Sequence, residues 1–191
     1  MIFMNEKTKL RQRYKQIRAS MTNEDVASKS NAMCDIFLSS EMYTNAGCIM
    51  LYMPLGKEAD TSSIINRAYV DGKKVIFPAT DSDTGIITPI YADRDAKFSK
   101  GAFSVMEPDC IEIAEVGDID LILVPGIAFD RSGHRIGFGK GCYDRLLSGY
   151  NGIKIGFCYS EQICENIPFD EFDVCMDYLI TEDEIIKCSK I

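Results

Sequence analysis

The order of apolar runs and amphipathic segments predicts an α/β fold. A mostly parallel central sheet is flanked by helices on both faces, a three-layer sandwich. Two observations carry this expectation. From Gly47 onward, short apolar runs alternate with helical patterns. Residues 121–124, Leu-Ile-Leu-Val, are apolar without alternation, as strands buried on both faces are. The 191 residues contain no repeat, low-complexity tract or linker, so one domain over 1–191 is expected.

The elements follow in order. Leu10, Tyr14, Ile17 and Met21 recur at helical spacing and predict a helix over 6–19. Thr22, with Asp25 three residues on, is a capping-box start for a second helix running to about Leu38. Val26, Met33 and Phe37 face inward on it. Residues 48–53 read as a strand and 61–70 as a helix, stopped by Gly72 at its C′ position. Residues 75–77 are a short strand ended by Pro78, and 86–91 another. Residues 92–117 carry no clear period and read as irregular. After the strand at 121–124, a helix starts at 143–147, and strands follow at 153–159 and 178–181.

Bulk properties exclude several classes. A net charge of −8 argues against general affinity for nucleic acid or anionic membranes. No apolar run approaches membrane-spanning length, and the start, Met-Ile-Phe-Met-Asn-Glu, is not a signal peptide. The eight cysteines form no Cys-x-x-Cys pair and several lie in apolar runs, which reads as free thiols in a reducing, cytoplasmic setting. With His134 as the one histidine, a zinc site is not expected, and His134 itself reads as exposed.

Residues 124–145 are the most informative stretch. An apolar run stops at Pro125, and Gly126, Gly133, Gly137, Gly139 and Gly141 then interleave with Arg131, Arg135, Lys140 and Arg145. A strand emptying into a glycine-rich cationic loop, with a helix beyond, suits phosphate binding. Glycines let backbone N–H groups approach oxygens, and the cations neutralise charge. Asp144 closes the loop where a nucleotide's magnesium would be held. Two familiar loops are excluded. A dinucleotide fingerprint needs glycine where Cys142 stands, and a Walker loop needs Ser or Thr where Gly141 stands.

Two other segments stand out. Lys7, Arg11, Lys15 and Arg18 share one helical face with no acid among them, which suits either a solvated face or a triphosphate partner. Residues 52–61 follow the first strand and place Tyr52, Met53 and Glu58 at its end.

The stretch from Pro125 to Asp144 resembles the signature of the 5-formyltetrahydrofolate cyclo-ligase family: Pro-Gly, Phe-Asp, Gly, then Arg-Leu-Gly-x-Gly-x-Gly-Tyr-Tyr-Asp. Here these fall on Pro125, Gly126, Phe129, Asp130, Gly133, Arg135, Ile136, Gly137, Gly139, Gly141, Cys142, Tyr143 and Asp144. Ile136 replaces Leu, and Cys142 replaces the first Tyr. The resemblance implies conversion of 5-formyltetrahydrofolate and ATP to 5,10-methenyltetrahydrofolate, ADP and phosphate, with Mg2+. It also implies that Lys7 and Arg11 contact ATP, together with Arg135, Ile136, Gly137, Phe138, Gly139, Lys140, Gly141, Cys142 and Tyr143. It implies folate contacts from Tyr52, Met53, Glu58, Phe138, Gly139, Lys140, Gly141 and Cys142, with Glu58 accepting hydrogen bonds from the pterin. Lys140 and Arg135 are the expected catalytic cations. Asp144 and Asp173 are the expected metal carboxylates, with Asp177 the alternative to Asp173. Phe172 stands where many members carry His. A monomer is expected. A sugar-phosphate isomerase or coenzyme A transferase-like enzyme, or a non-catalytic nucleotide sensor, are the other readings of this layout.

Overall fold

The structure, a computed structural model, describes residues 2–189, with side chains from Glu6 onward. Its centre is a seven-stranded sheet. The strands are β1 (Cys48–Met50), β2 (Lys74–Thr80), β3 (Ile87–Tyr91), β6 (Leu121–Val124), β9 (Ile153–Phe157), β11 (Tyr178–Ile180) and β12 (Ile185–Lys187), in the order β12-β11-β9-β6-β1-β2-β3. The inner pairs are parallel, and only the edge strands β3 and β12 run antiparallel to their neighbours.

Alternation by two assigns the inner strands to both faces. Leu121 and Leu123 of β6 join one apolar cluster, and Ile122 and Val124 the other. The first cluster is covered by α2 (Asn23–Leu38), the short α3 (Glu41–Asn45) and α4 (Ser62–Val70), through Met33, Phe37, Tyr43, Ile64 and Ala68. The second lies under α5 (Cys142–Leu147) and a small second sheet. That sheet has the order β10-β7-β8, from Ile163–Cys164, Ala128–Asp130 and Arg135–Ile136. The long α1 (Ile2–Ser20) packs Leu10, Tyr14 and Ile17 against Ile127, Ala128 and Ile136 there, while Met21 tucks under the main sheet. The α/β class and mostly parallel sheet are as expected, but the second covering layer is only partly helical.

Local signals held at the helix ends. The Thr22 hydroxyl accepts from Asp25 N–H at 3.0 Å, and Asp25 accepts from Thr22 N–H at 2.9 Å. Gly72 has φ +71°, and Gly72 and Lys73 donate to the Tyr69 and Ala68 carbonyls, a Schellman end. Two expectations need correction. β2 runs through Pro78, because β1 stops opposite Ile76 and leaves no ladder bond for the missing N–H. Residues 92–117 are not wholly irregular: β4 (Phe98–Lys100) and β5 (Met106–Pro108) form an antiparallel hairpin. At its tip Phe103 and Ser104 hold φ of 55° and 63°, a left-handed conformation uncommon for residues other than glycine.

Candidate functional site

A cleft of about 830 Å³ opens at the carboxyl ends of β1, β2 and β6. Parallel α/β sheets bind ligands at this edge. The glycine-rich stretch supplies one wall, and it is not a single loop. It leaves β6 at Pro125–Gly126 and makes the β7–β8 hairpin. It then forms a true loop over 137–141, which ends at α5. Gly133 turns the hairpin at φ +95°, where a Cβ would lie 2.5 Å from the Met176 carbonyl oxygen. Gly139 and Gly141, at φ +105° and +63°, shape the loop itself.

The basic face of α1 turns partly to the cleft, which Lys7 and Arg11 line, while Lys15 stays exposed. Lys7 pairs with Asp173, and with Asp170 at 3.2 Å. Burial lowers the Lys7 pKa, but its bonds to the two carboxylates outweigh this and hold it above the usual value. Arg11 Nε donates to the Gly137 carbonyl at 2.9 Å. Lys15 and Arg18 lie 5.2 and 5.9 Å from the ring centre of Phe138. Four side chains one turn apart thus clasp the acidic loop at 170–173, the loop backbone and the loop's aromatic residue.

Arg135 is the most enclosed cation of the site, with its side chain 5% exposed. It donates to Asp144 at 3.0 Å and to the Pro125 carbonyl at 3.4 Å, while its buried Nε has no partner among the described residues. Lys140 is exposed, 3.5 Å from the Ser82 carbonyl and 4.2 Å from the Phe103 ring centre. Asp144 also receives Val174 N–H at 3.4 Å, and Asp173 receives Asp170 N–H at 2.9 Å. Both carboxylates line the cleft; Asp177 does not, and instead accepts Lys154 N–H at 2.9 Å and pairs with its ammonium.

On the opposite wall Glu58 is 6% exposed and accepts Leu55 N–H at 2.9 Å, with Arg18 at 3.5 Å. Burial pushes its pKa up, and the Leu55 N–H and Arg18 oppose that rise. Tyr52 is a core residue whose hydroxyl donates to the Ala59 carbonyl at 2.9 Å, so it floors the cleft rather than protruding into it. Met53 and Phe138 line the cleft, and Phe138 is half exposed. Tyr143 lines it too, its pKa raised first by burial. The Ile136 side chain packs with Tyr14 and Ile127, and its carbonyl accepts Ile127 N–H at 2.7 Å, so the residue holds the hairpin at the cleft's edge. The Cys142 thiol sits 3.1 Å from where a Gly85 Cβ would lie, so the β2–β3 turn occupies the space beside it.

His134 is the clear miss. It is buried, with Nδ1 2.9 Å from Asp130, and its ring stacks on Phe169 at 4.0 Å. Its aromatic partner Phe169 lies far along the chain, so a polar local sequence concealed it. Phe103 lines the cleft, and Arg18 stands behind it against Glu58 and Phe138, neither with a role expected from sequence. Phe103 sits in a stretch without periodicity. Arg18 had a signal, its place on the basic face. The eight cysteines carry free thiols, and burial drives several of them up, Cys34 to about 12. No helix among the described residues is long and apolar enough to cross a membrane.

The chain is similar over most of its length to known proteins of one family. Residues 3–182 match the model of the 5-formyltetrahydrofolate cyclo-ligase family. A probable 5-formyltetrahydrofolate cyclo-ligase of Caenorhabditis elegans is 31% identical, over 94% of each chain. The Mus musculus 5-formyltetrahydrofolate cyclo-ligase is 27% identical, over 91% of this chain and 92% of its own. Among solved structures, Aquifex aeolicus 5,10-methenyltetrahydrofolate synthetase superposes with a TM-score of 0.83 at 32% identity, covering 95% of this chain and 92% of its own. The Mycoplasma pneumoniae 5,10-methenyltetrahydrofolate synthetase gives 0.72 at 25% identity, covering 92% and 98%.

Proposed function

The chain belongs to the 5-formyltetrahydrofolate cyclo-ligase family, and from that premise we propose that it converts 5-formyltetrahydrofolate to 5,10-methenyltetrahydrofolate at the expense of ATP. The observation that carries this reading is the cleft's division of labour. Cations and glycine backbone line one wall, and a buried carboxylate with apolar neighbours lines the other. The first suits a triphosphate. The second suits the donor edge of a pterin, whose N–H and amino groups a carboxylate accepts as a pair.

The reaction needs no protein nucleophile. The formyl oxygen attacks the γ-phosphorus, an O–P bond forms, the bond to the β-phosphate oxygen breaks, and ADP leaves. N10 then attacks the activated carbon. The C–N10 bond forms, the C–O bond breaks to release phosphate, and N10 loses its proton. Positioning and charge neutralisation supply most of the catalysis in such transfers. Lys140 has weak protein contacts and is free to follow the moving phosphoryl group. The unpartnered Nε of Arg135 has capacity for a phosphate oxygen, and Lys7 and Arg11 hold the nucleotide. The backbone of Ile136, Gly137, Gly139 and Gly141 cradles the phosphates, and Phe138, Cys142 and Tyr143 lie between the two substrates.

Asp144 and Asp173 fit magnesium. They are hard oxygen donors in the same cleft, and among the described residues no three His, Cys, Asp or Glu side chains form a metal cage. Magnesium takes one or two carboxylates and completes its shell with phosphate oxygens and water. When bound it would neutralise charge on the triphosphate. We place this single-domain protein in the cytoplasm as a monomer; its free thiols support that location. The test is direct. Purified protein with Mg-ATP and 5-formyltetrahydrofolate should form product with the near-ultraviolet absorbance of methenyltetrahydrofolate. No product from folded, ATP-binding protein would overturn the assignment.

A further inference from the structure

Arg18 lies two turns beyond Arg11 on α1, and its side chain is 11% exposed. Its guanidinium joins three parts of the cleft. Nη1 lies 3.2 Å from the Gly126 carbonyl oxygen and 3.5 Å from Glu58 Oε1, and the guanidinium carbon sits 5.9 Å from the Phe138 ring centre. Arg18 is thereby anchored independently of Glu58, so its charge is delivered to a fixed place.

A carboxylate as buried as Glu58 is driven toward its neutral form. A protonated Glu58 would offer the pterin edge one acceptor fewer and a donor facing donors. The surroundings contain little else to prevent this. Its own loop supplies Leu55 N–H to Oε2. The end of β1 and α5 supply the hydroxyls of Tyr52 and Tyr143, both kept neutral by burial first and by the charge of Glu58 second. The neighbouring Lys57 turns its ammonium away, to the Ala19 and Met21 carbonyls. Arg18 is the cation that faces Glu58 among the described residues.

We infer that Arg18 is a positioning residue that keeps Glu58 an oriented carboxylate and so sets folate affinity without touching folate. This rests on the reading of Glu58 as the pterin acceptor. A guanidinium suits the task because it stays charged at any working pH and is held here by a carbonyl and a ring face.

The test is steady-state kinetics of wild type, Arg18→Met and Arg18→Lys from pH 6 to 8.5, with Glu58→Gln as control. Arg18→Met should raise the folate KM most at low pH. Its ratio to wild type should be larger at pH 6 than at pH 8.5, by at most about tenfold for each unit by which the carboxyl titration is displaced. The ATP KM and kcat at saturating folate should stay within about twofold. Arg18→Lys should keep the wild-type pH profile with a smaller rise in KM. A rise in folate KM that is equal at every pH would make Arg18 a packing residue and overturn the inference, as would an unchanged KM. If Arg18→Met does not fold, Arg18→Gln takes its place: a folate KM that rises most at low pH upholds the inference, and a rise equal at every pH overturns it. Absence of turnover by the wild type would instead overturn the cyclo-ligase reading beneath it.

Discussion

Two buried carboxylates in this molecule are held in opposite ways. Asp130, on β7, is 1% exposed and accepts from the backbone N–H groups of Ser132, His134 and Ile167 at 2.9–3.0 Å, besides its contact with His134 Nδ1. Glu58, at 6% exposure, has one backbone N–H and a guanidinium at 3.5 Å. The first is saturated and ties the hairpin turn to the segment that leads into the acidic loop. The second keeps acceptor capacity turned to the cleft. The same contrast separates other groups. Lys29 is closed into pairs with Glu161 and Glu182, while Lys140 has a carbonyl at the limit of bonding distance and an aromatic face. Buried polar groups cost stability unless satisfied. In these two pairs the unfilled capacity belongs to the cleft and the filled capacity to the architecture.

That contrast can be broken at four places. The largest effect is expected at Lys140. Lys140→Ala should lower kcat by about 100- to 1,000-fold, with Tm unchanged and folate KM little altered, measured by initial rates and thermal melting. Wild-type turnover would remove Lys140 from the chemistry.

Asp130→Ala tests the saturated side. It leaves three backbone donors unmet and should cost about 3 kcal/mol in urea unfolding, or roughly 6–12 °C in Tm. A variant as stable as wild type would show that water replaces those bonds and that saturation is not what holds the turn.

Glu58→Gln should do the reverse. Folate KM should rise roughly 10- to 100-fold with the loss of a charge-assisted acceptor, while stability at neutral pH holds or improves. The sign follows from linkage. Glu58 has a folded pKa above its unfolded value, so its contribution favours the fold below the ordinary carboxyl range and is lost as pH rises through the folded pKa. The Tm of Glu58→Gln should therefore exceed wild type most at pH 8, with the gap closing toward pH 4.5, the ordinary value for Glu. A gap that widens on acidification would mean that Arg18 more than repays the burial.

The smallest change in stability is expected at the acidic loop. Asp173→Asn removes a partly exposed pair with Lys7, worth about 1 kcal/mol or less, so Tm should barely move. The magnesium needed for half-maximal rate should rise clearly, and Asp144→Asn should act in the same direction. An unaltered magnesium titration would make Asp173 a surface acid that serves only to hold Lys7.

Much of this molecule follows from local sequence. The Thr22–Asp25 cap, the Gly72 helix stop and the buried run at 121–124 each obey forces acting within a few residues, and each stands where expected. The glycine and cation spacing of 135–144 predicts a phosphate loop for the same reason, since backbone freedom and charge are properties of the residues themselves. What local sequence did not determine is pairing across distance. The two- and three-residue strands β4, β5, β7, β8, β10 and β12 are too short to show a period and exist because a neighbour supplies their hydrogen bonds. His134 is buried because Phe169 and Asp130 close over it. The basic stripe of α1 finds partners because Asp173, the Gly137–Phe138 loop and Glu58 arrive from three separate segments. Propensity and charge act locally and can be read from the chain, but a buried group's satisfaction depends on partners that only the closed fold brings within bonding distance.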